Sequence, residues 1–326
     1  MARYWGFWTR GKLDLLRRYL DAFTTACKSQ DEIIYLDLFG GQPENRDRLT
    51  DENLDGSARI ALATEDPPFT RLRFFEVEPY ASRLRAALEA DNPGRDLRVV
   101  AGDCNRTIPG VLKELAPYNW APTFAFVDPN GPDVHWSSVQ ALARFKTHLT
   151  KPELWMLLAA GMFIRNLPVS GRVSPQHASK LTRMYGTEQW RAIYQARVDG
   201  TLIPADAREE YVNLMRWRLE QVLGYRWTHP LEIFNERGHS IYHMIFATDH
   251  PAGDRIMTSL YNAAANEFPA MREDARRHRE RLAEREAGIQ SLFNDASQVE
   301  SRPVSPREKL YEHSAPWTPF GTAEAP

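Results

Sequence analysis

The chain has 326 residues, of which 43% are hydrophobic and 11% are aromatic, and these supply enough apolar surface for a folded core. The formal net charge of −2 excludes a globally basic field that would attract nucleic acid or an anionic membrane. Only two cysteines, Cys27 and Cys104, occur, far apart in the chain. This spacing excludes a disulfide scaffold and predicts a reducing, cytoplasmic location. Apolar runs are too short to predict a membrane span.

The first half of the chain alternates between strand and helix patterns. Apolar residues at helical spacing predict an amphipathic helix over 11–27. The strands predicted after it are 33–36, 71–77, 97–101, 124–127 and 154–158, and the helices between them are 57–64, 80–90, 107–115 and 136–149. This alternation predicts an α/β fold with a doubly wound, mostly parallel sheet.

Beyond residue 165 the pattern changes. Apolar positions at helical spacing predict a helical insert, and two later apolar runs joined by a turn containing Gly238 predict an antiparallel hairpin at the sheet edge. The predicted units are a core over 1–165, the helical insert over 166–228, strands and a helix that complete the core over 229–270, and a charged helix followed by a Pro/Ser-rich, disordered tail over 271–326.

The first four predicted strands each carry an acidic residue at the carboxyl end: Asp37, Glu76, Asp103 and Asp128. Ligands of doubly wound sheets bind at these ends, where the strand order reverses. Glycines 40 and 41 after the first strand allow close approach to the backbone, and Glu76 is placed to accept hydrogen bonds from ribose hydroxyls. Asp103 is placed to meet an exocyclic amine such as that of adenine. The set predicts an adenosine-containing ligand.

Structural interpretations of the same residues stay open. Asp103 could cap the following helix, the Gly-Gly pair could be only a turn, and residues 128–131 could form a tight turn with an Asx bond. The dinucleotide fingerprint and the Walker A sequence are absent, which disfavours NAD and an ATPase.

Four segments together resemble the three-Cys-motif partner protein family, TcmP: 35–41 (YLDLFGG), 75–79 (FEVEP), 102–105 (GDCN) and 124–131 (FAFVDPNG). Segments 181–187 and 241–248 fit as well, so the similarity extends from about residue 12 to about residue 260. That family is similar to class I S-adenosylmethionine-dependent methyltransferases in its first half. The resemblance therefore implies that fold, S-adenosylmethionine as cofactor, and a partner protein that carries a three-cysteine motif, but it implies no particular acceptor.

Carried onto this chain, the motifs imply two groups of site residues. The cofactor-binding residues are Asp37, Phe39, Gly40, Gly41, Glu76, Asp103 and Cys104, and the catalytic residues are Asp128, Pro129 and Asn130. Three positions depart from the family pattern, because Gly40 replaces Ala, Pro43 replaces Gly and Asn130 replaces Phe. The Asp-Pro-Asn-Gly sequence also differs from the Asp-Pro-Pro-Tyr of amino-methylating enzymes.

Three functions follow as hypotheses. The first is a methyltransferase acting on a nucleic acid or on a substrate delivered by the partner, with the nucleophile oriented near Asp128. The second is a non-catalytic S-adenosylmethionine-binding scaffold for the three-Cys-motif protein. The third is a metal-dependent hydrolase or nuclease in which Asp37, Asp103 and Asp128 converge on Mg²⁺.

Overall fold

The computed structural model describes residues 3–42, 45–47, 51–146, 150–162, 167–169, 173–235, 237–286 and 309–322. Its strands are β1 (Arg3–Trp5), β2 (Ile34–Asp37), β3 (Asn45–Asp47), β4 (Asn53–Leu54), β5 (Arg71–Glu76), β6 (Asp96–Ala101), β7 (Thr123–Val127), β8 (Glu153–Leu158), β9 (Trp227–Phe234) and β10 (Ser240–Thr248). Its α-helices are α1 (Phe7–Ala26), α2 (Ser57–Leu62), α3 (Tyr80–Asp91), α4 (Cys104–Glu114), α5 (Trp136–Ala143), α6 (Pro175–Tyr185), α7 (Trp190–Val198), α8 (Pro204–Trp217) and α9 (Pro251–Glu286).

Seven strands form one sheet in the order β6-β5-β2-β7-β8-β10-β9. The first five of these pair in parallel, whereas β10 is antiparallel to both of its neighbours. Numbered along the chain, the strands therefore run 3-2-1-4-5-7-6 across the sheet. The predicted α/β fold and the antiparallel hairpin at the sheet edge are confirmed.

The central strands are apolar because both of their faces are covered. Every residue of β2, β7 and β8 is buried, which is why these segments are nearly continuous apolar runs rather than alternating ones. Helix α1 packs its buried residues Leu16, Tyr19 and Leu20 into the same core. The ring centroids of Tyr19 and Phe124 are 5.4 Å apart, which joins this helix to the centre of the sheet.

Several boundaries differ from the prediction. Helix α1 begins at Phe7 rather than at residue 11, and β9 begins at Trp227, within the range predicted for the helical insert. A second, three-stranded sheet in the order β1-β3-β4 joins the N-terminal strand β1 to the segment after β2, where no strand was predicted. These strands are two or three residues long. Such short pairings leave little periodicity in a sequence, so the prediction missed them.

The predicted disorder of the C-terminal tail is wrong for residues 309–322. This extended segment lies against α8, α9 and β9, where the main-chain N–H of Trp317 donates to Asn213 Oδ1 at 2.9 Å. Pro319 within it is buried. The remainder of the predicted tail lies outside the described residues, apart from the end of α9. Among the described helices, none combines the length and the apolar character needed to cross a membrane.

Candidate functional site

A cleft of about 760 Å³ opens at the carboxyl ends of β2, β5, β6 and β7. The strand order reverses there, because the chain passes from β2 to β5 and β6 on one side and then returns to β7 on the other. Eight of the ten predicted site residues line the cleft: Phe39, Gly40, Gly41, Glu76, Asp103, Cys104, Asp128 and Asn130. The two that do not are Asp37 and Pro129, which are both buried.

Asp37 lies beneath the cleft floor rather than in it. Its side chain is fully buried and accepts a hydrogen bond from the main-chain N–H of Phe39 at 3.1 Å. Burial raises the pKa of Asp37 to about 7, against the opposing effect of a hydrogen bond from Ser57. The residue therefore shapes the loop after β2, and its direct contact with a ligand stays a prediction.

The glycines after β2 bring the backbone close to the neighbouring strand. The N–H of Gly40 donates to the carbonyl of Phe75 at 2.9 Å, and a Cβ on Gly40 would lie 2.9 Å from Leu84 Cδ2. A side chain at position 40 would therefore crowd the buried Leu84 side chain. Gly41 has a φ of 72°, in the left-handed region that favours glycine. Pro43 lies outside the described residues.

Glu76 is held by two main-chain donors at the end of β5. One carboxylate oxygen accepts from the N–H of Gly41 at 2.9 Å and the other from the N–H of Val77 at 2.7 Å. Val77 and Tyr80 line the cleft beside it, with 48% and 38% of their surface exposed. The cleft thus places a fixed carboxylate next to two exposed apolar side chains.

The residues after β6 have structural roles as well as a place in the lining. Asp103 is the N-cap of α4, because its Oδ1 accepts from the N–H of Asn105 at 2.9 Å. The capping interpretation left open by the sequence is therefore correct for this side chain. Cys104 is buried, and burial, followed by the charge of Asp103, raises its pKa to about 12. Its thiol stays protonated at neutral pH and is a poor nucleophile.

Asp128, at the end of β7, forms an ion pair with Lys12 of α1. The Lys12 side chain is 8% exposed and that of Asp128 is 21% exposed, so the pair is largely shielded from water. Both residues line the cleft. The sequence interpretation missed Lys12, although a signal exists: it stands four residues before Leu16 and eight before Leu20, on the apolar face of α1.

A second missed residue is Asn105, which joins α4 to the segment after β7. Its Nδ2 donates to the carbonyl of Asp133 at 2.8 Å, and its Oδ1 accepts from the N–H of His135 at 2.8 Å and from Ser138 Oγ at 2.9 Å. These bonds hold α4 against the segment after β7, and this segment includes the exposed Asn130, which also lines the cleft.

The helical insert contributes cationic residues to the cleft. Lys180 and Arg183, both exposed on α6, belong to its lining. The ammonium of Lys180 is 3.4 Å from Asp133 Oδ1. Burial and the nearby charge of Arg183 lower the pKa of His135. Two cations and the carboxylates of Asp103 and Asp133 therefore meet on this side of the cleft.

The described residues do not form the carboxylate cluster that a metal-dependent hydrolase needs. Among them, no group of three or more His, Cys, Asp or Glu side chains is arranged to hold a metal ion. Asp37 lies beneath the floor, Asp103 caps a helix and Asp128 pairs with Lys12. The hypothesis that these three carboxylates converge on Mg²⁺ therefore loses its geometric basis.

Comparisons with known proteins do not assign a family. No family model matches the chain, and no curated protein matches it. Among solved structures, a Legionella pneumophila str. Philadelphia 1 protein of the family DUF519 is similar at 12% identity, with a TM-score of 0.39 over 73% of this chain and 85% of that protein. A TM-score this low carries no argument about function. The resemblance to TcmP stays an interpretation of the motifs.

Proposed function

We propose that the cleft binds S-adenosylmethionine and that the protein transfers its methyl group to an acceptor held beside Lys180 and Arg183 of α6. The observation that carries this proposal is the order of chemical groups along the strand ends. The order is the Asp103 cap at β6, Glu76 with its apolar neighbours at β5, the glycine loop at β2 and the Lys12–Asp128 pair at β7. From one end to the other, S-adenosylmethionine consists of adenine, ribose and a charged amino acid. Its parts therefore follow the same order as the groups along the cleft.

The β5 end of the cleft fits the adenosine portion. Glu76 is fixed by the N–H groups of Gly41 and Val77, and a carboxylate in this place accepts hydrogen bonds from ribose hydroxyls in nucleotide-binding folds. The exposed apolar surface of Val77 and Tyr80 offers a face for adenine. Burying that surface against a base is favourable, because apolar area leaves water.

The β7 end fits the amino-acid portion. An α-amino acid is a zwitterion, so it needs one anionic and one cationic partner close together. Asp128 and Lys12 supply these two charges in contact with each other, largely out of water. Gly40 and Gly41, between the two ends, leave the backbone open to close approach of a ligand.

The sheet topology also favours this proposal. The order 3-2-1-4-5-7-6 reverses between the first and the fourth strand, and doubly wound sheets bind nucleotide ligands at such a reversal. When bound, S-adenosylmethionine supplies a methyl group on a sulfonium, and transfer depends mainly on positioning. Asn130 and the Asp128 carboxylate are the groups of this chain that would accept hydrogen bonds from the nucleophile, with buried Pro129 fixing the turn between them.

For the acceptor we favour an anionic molecule of the nucleic-acid class. Lys180 and Arg183 are the support, because guanidinium and ammonium groups at the cleft attract phosphates. The TcmP resemblance adds the alternative of a substrate delivered by a three-Cys-motif protein, and a scaffold without turnover remains the second function to test.

Isothermal titration calorimetry with S-adenosylmethionine and S-adenosylhomocysteine tests the binding proposal. Glu76→Ala should weaken binding about 10- to 100-fold, because hydrogen bonds to a charged group contribute about 1.5–3 kcal/mol. Glu78→Ala is the matched control, since that carboxylate bonds to Ser82 outside the cleft lining. Equal affinities for the wild type and both variants would refute the assignment of Glu76.

Turnover separates an enzyme from a scaffold. Purified protein is incubated with methyl-labelled cofactor and with RNA, DNA or a candidate partner, and label in the acceptor is counted. The Asp128→Asn variant should lose the transfer while it remains folded by circular dichroism. Tight cofactor binding with no label in any acceptor would favour the scaffold.

A further inference from the structure

The C-terminal segment Lys309–Thr322 lies in a groove between α8, α9 and β9. The groove contacts the segment mainly through its main chain. Asn262 Oδ1 accepts from the N–H groups of Leu310 and Tyr311, both at 2.9 Å. Asn213 forms a reciprocal pair with Trp317, accepting from its N–H at 2.9 Å and donating to its carbonyl at 2.8 Å.

Two more contacts complete this pattern. Arg216 of α8 donates to the carbonyl of Ser314, and Glu210 Oε2 accepts from the N–H of Phe320 at 3.3 Å. Main-chain recognition of this kind is how proteins hold extended peptides, because N–H and carbonyl groups are present in any sequence.

The polar groups that form the groove are buried when the segment is in place. Asn213 is then 1% exposed, Arg216 is 3% exposed and His229 is fully buried. Arg216 also has a partner outside the segment, because its Nε donates to Thr228 Oγ1 at 3.0 Å. Leaving buried polar groups without a hydrogen-bond partner is costly, so the groove favours an occupant that satisfies them, either a peptide or water.

Partly exposed side chains accompany these main-chain bonds. Leu310 and Trp317 keep 45% and 44% of their surface exposed. Tyr311 and Phe320 pack against the core, but both stay partly exposed. Because the central strands of the sheet are buried throughout, the segment should open locally at a lower free energy than the sheet.

Two side-chain contacts give the groove a preference for particular residues. His229 Nε2 is 2.9 Å from Asp254 Oδ1, so we place the ring proton on Nε2. Nδ1 then accepts from the hydroxyl of Tyr311 at 3.0 Å. Glu210 Oε1 accepts from the indole N–H of Trp317 at 2.8 Å. The groove thus recognises a tyrosine and a tryptophan six residues apart.

We propose that this groove is a peptide-recognition site for extended segments with that Tyr/Trp spacing, and that residues 309–322 are its exchangeable occupant. This site lies apart from the methyl-transfer cleft and does not depend on the function proposed for that cleft. The ligand of this site is a peptide that is bound through its main chain. Residues 309–322 are one such peptide, supplied by the same chain.

The test uses the full-length chain and a fluorescein-labelled peptide with the sequence of residues 309–322. A Trp317→Pro/Phe320→Pro variant removes two main-chain donors from the segment and leaves every groove residue unchanged. This variant should bind the labelled peptide at least about tenfold more tightly than the wild type, because the cis competitor is weakened. Adding Asn213→Ala to it should reverse that gain. A folded variant that binds no labelled peptide would overturn the proposal.

Hydrogen exchange on the wild type provides a second measurement that needs no variant. The amides of Leu310, Tyr311, Trp317 and Phe320 should exchange together, through an opening that leaves the amides of β7 and β8 protected. If those four amides exchange only when the sheet itself exchanges, the segment is a fixed part of the core and the groove is not a recognition site.

Discussion

The Lys12–Asp128 pair is the feature of the cleft that mutation can measure most directly. Replacing Lys12 by Met keeps an unbranched side chain that is shorter by one atom, and it leaves the Asp128 carboxylate without its cation. Removing one partner of a fully buried pair costs about 3–5 kcal/mol. Because 21% of the Asp128 side chain is exposed, water recovers part of this cost, and we expect a loss of about 2–3 kcal/mol in the free energy of unfolding.

The double variant Lys12→Met/Asp128→Asn distinguishes the pair from the sum of two substitutions. With both charges removed, no uncompensated charge remains, so the double variant should be more stable than the sum of the single losses predicts. We expect a coupling energy of about 1.5–2 kcal/mol, within the range for residues in contact. Urea-induced unfolding followed by circular dichroism gives the four free energies of the cycle.

Arg17→Met provides the control on the same helix. Arg17 pairs with Asp55 at 3.4 Å, but the two side chains are 44% and 51% exposed. An exposed pair contributes about 0–1 kcal/mol, so this variant should be close to the wild type. If Lys12→Met costs no more than Arg17→Met and the cycle is additive, the shielded Lys12–Asp128 pair is not formed in solution.

Two further measurements address the glycine loop and the buried histidine. Gly40→Ala should lower the free energy of unfolding by about 1–3 kcal/mol in urea titrations, because the new Cβ would lie 2.9 Å from the buried Leu84 side chain. By contrast, Gly110→Ala in α4, where a Cβ meets nothing within 4 Å, should raise it by up to about 1 kcal/mol; the opposite ordering would contradict the packing. Burial lowers the pKa of His243 to about 3, so the stability that comes from its neutral form is present above the unfolded pKa of about 6.5 and is lost as the pH falls toward 3. Relative to His243→Phe, the wild type should lose about 1.4 kcal/mol per pH unit between about pH 6 and pH 4, and a constant difference across that range would show that the ring is solvated.

The sequence determined the architecture because its signals are local. Each buried strand is a short apolar run, and Asp37, Glu76, Asp103 and Asp128 follow the first four runs at their ends. Parallel strands bring their carboxyl ends to one edge of the sheet, so the position of the cleft followed from chain order alone. The same local information located the edge hairpin, whose strands are separated by a short turn.

Tertiary structure decided what those residues do. Asp37 and Asp128 carry the same functional group at equivalent strand ends, yet one is buried beneath the loop and the other faces Lys12, 116 residues away in the chain. The bond from Asn213 to Trp317 spans 104 residues, so composition predicted disorder where the fold supplies a groove. Burial and pairing are set by contacts between distant segments, and no local pattern of apolar residues encodes those contacts.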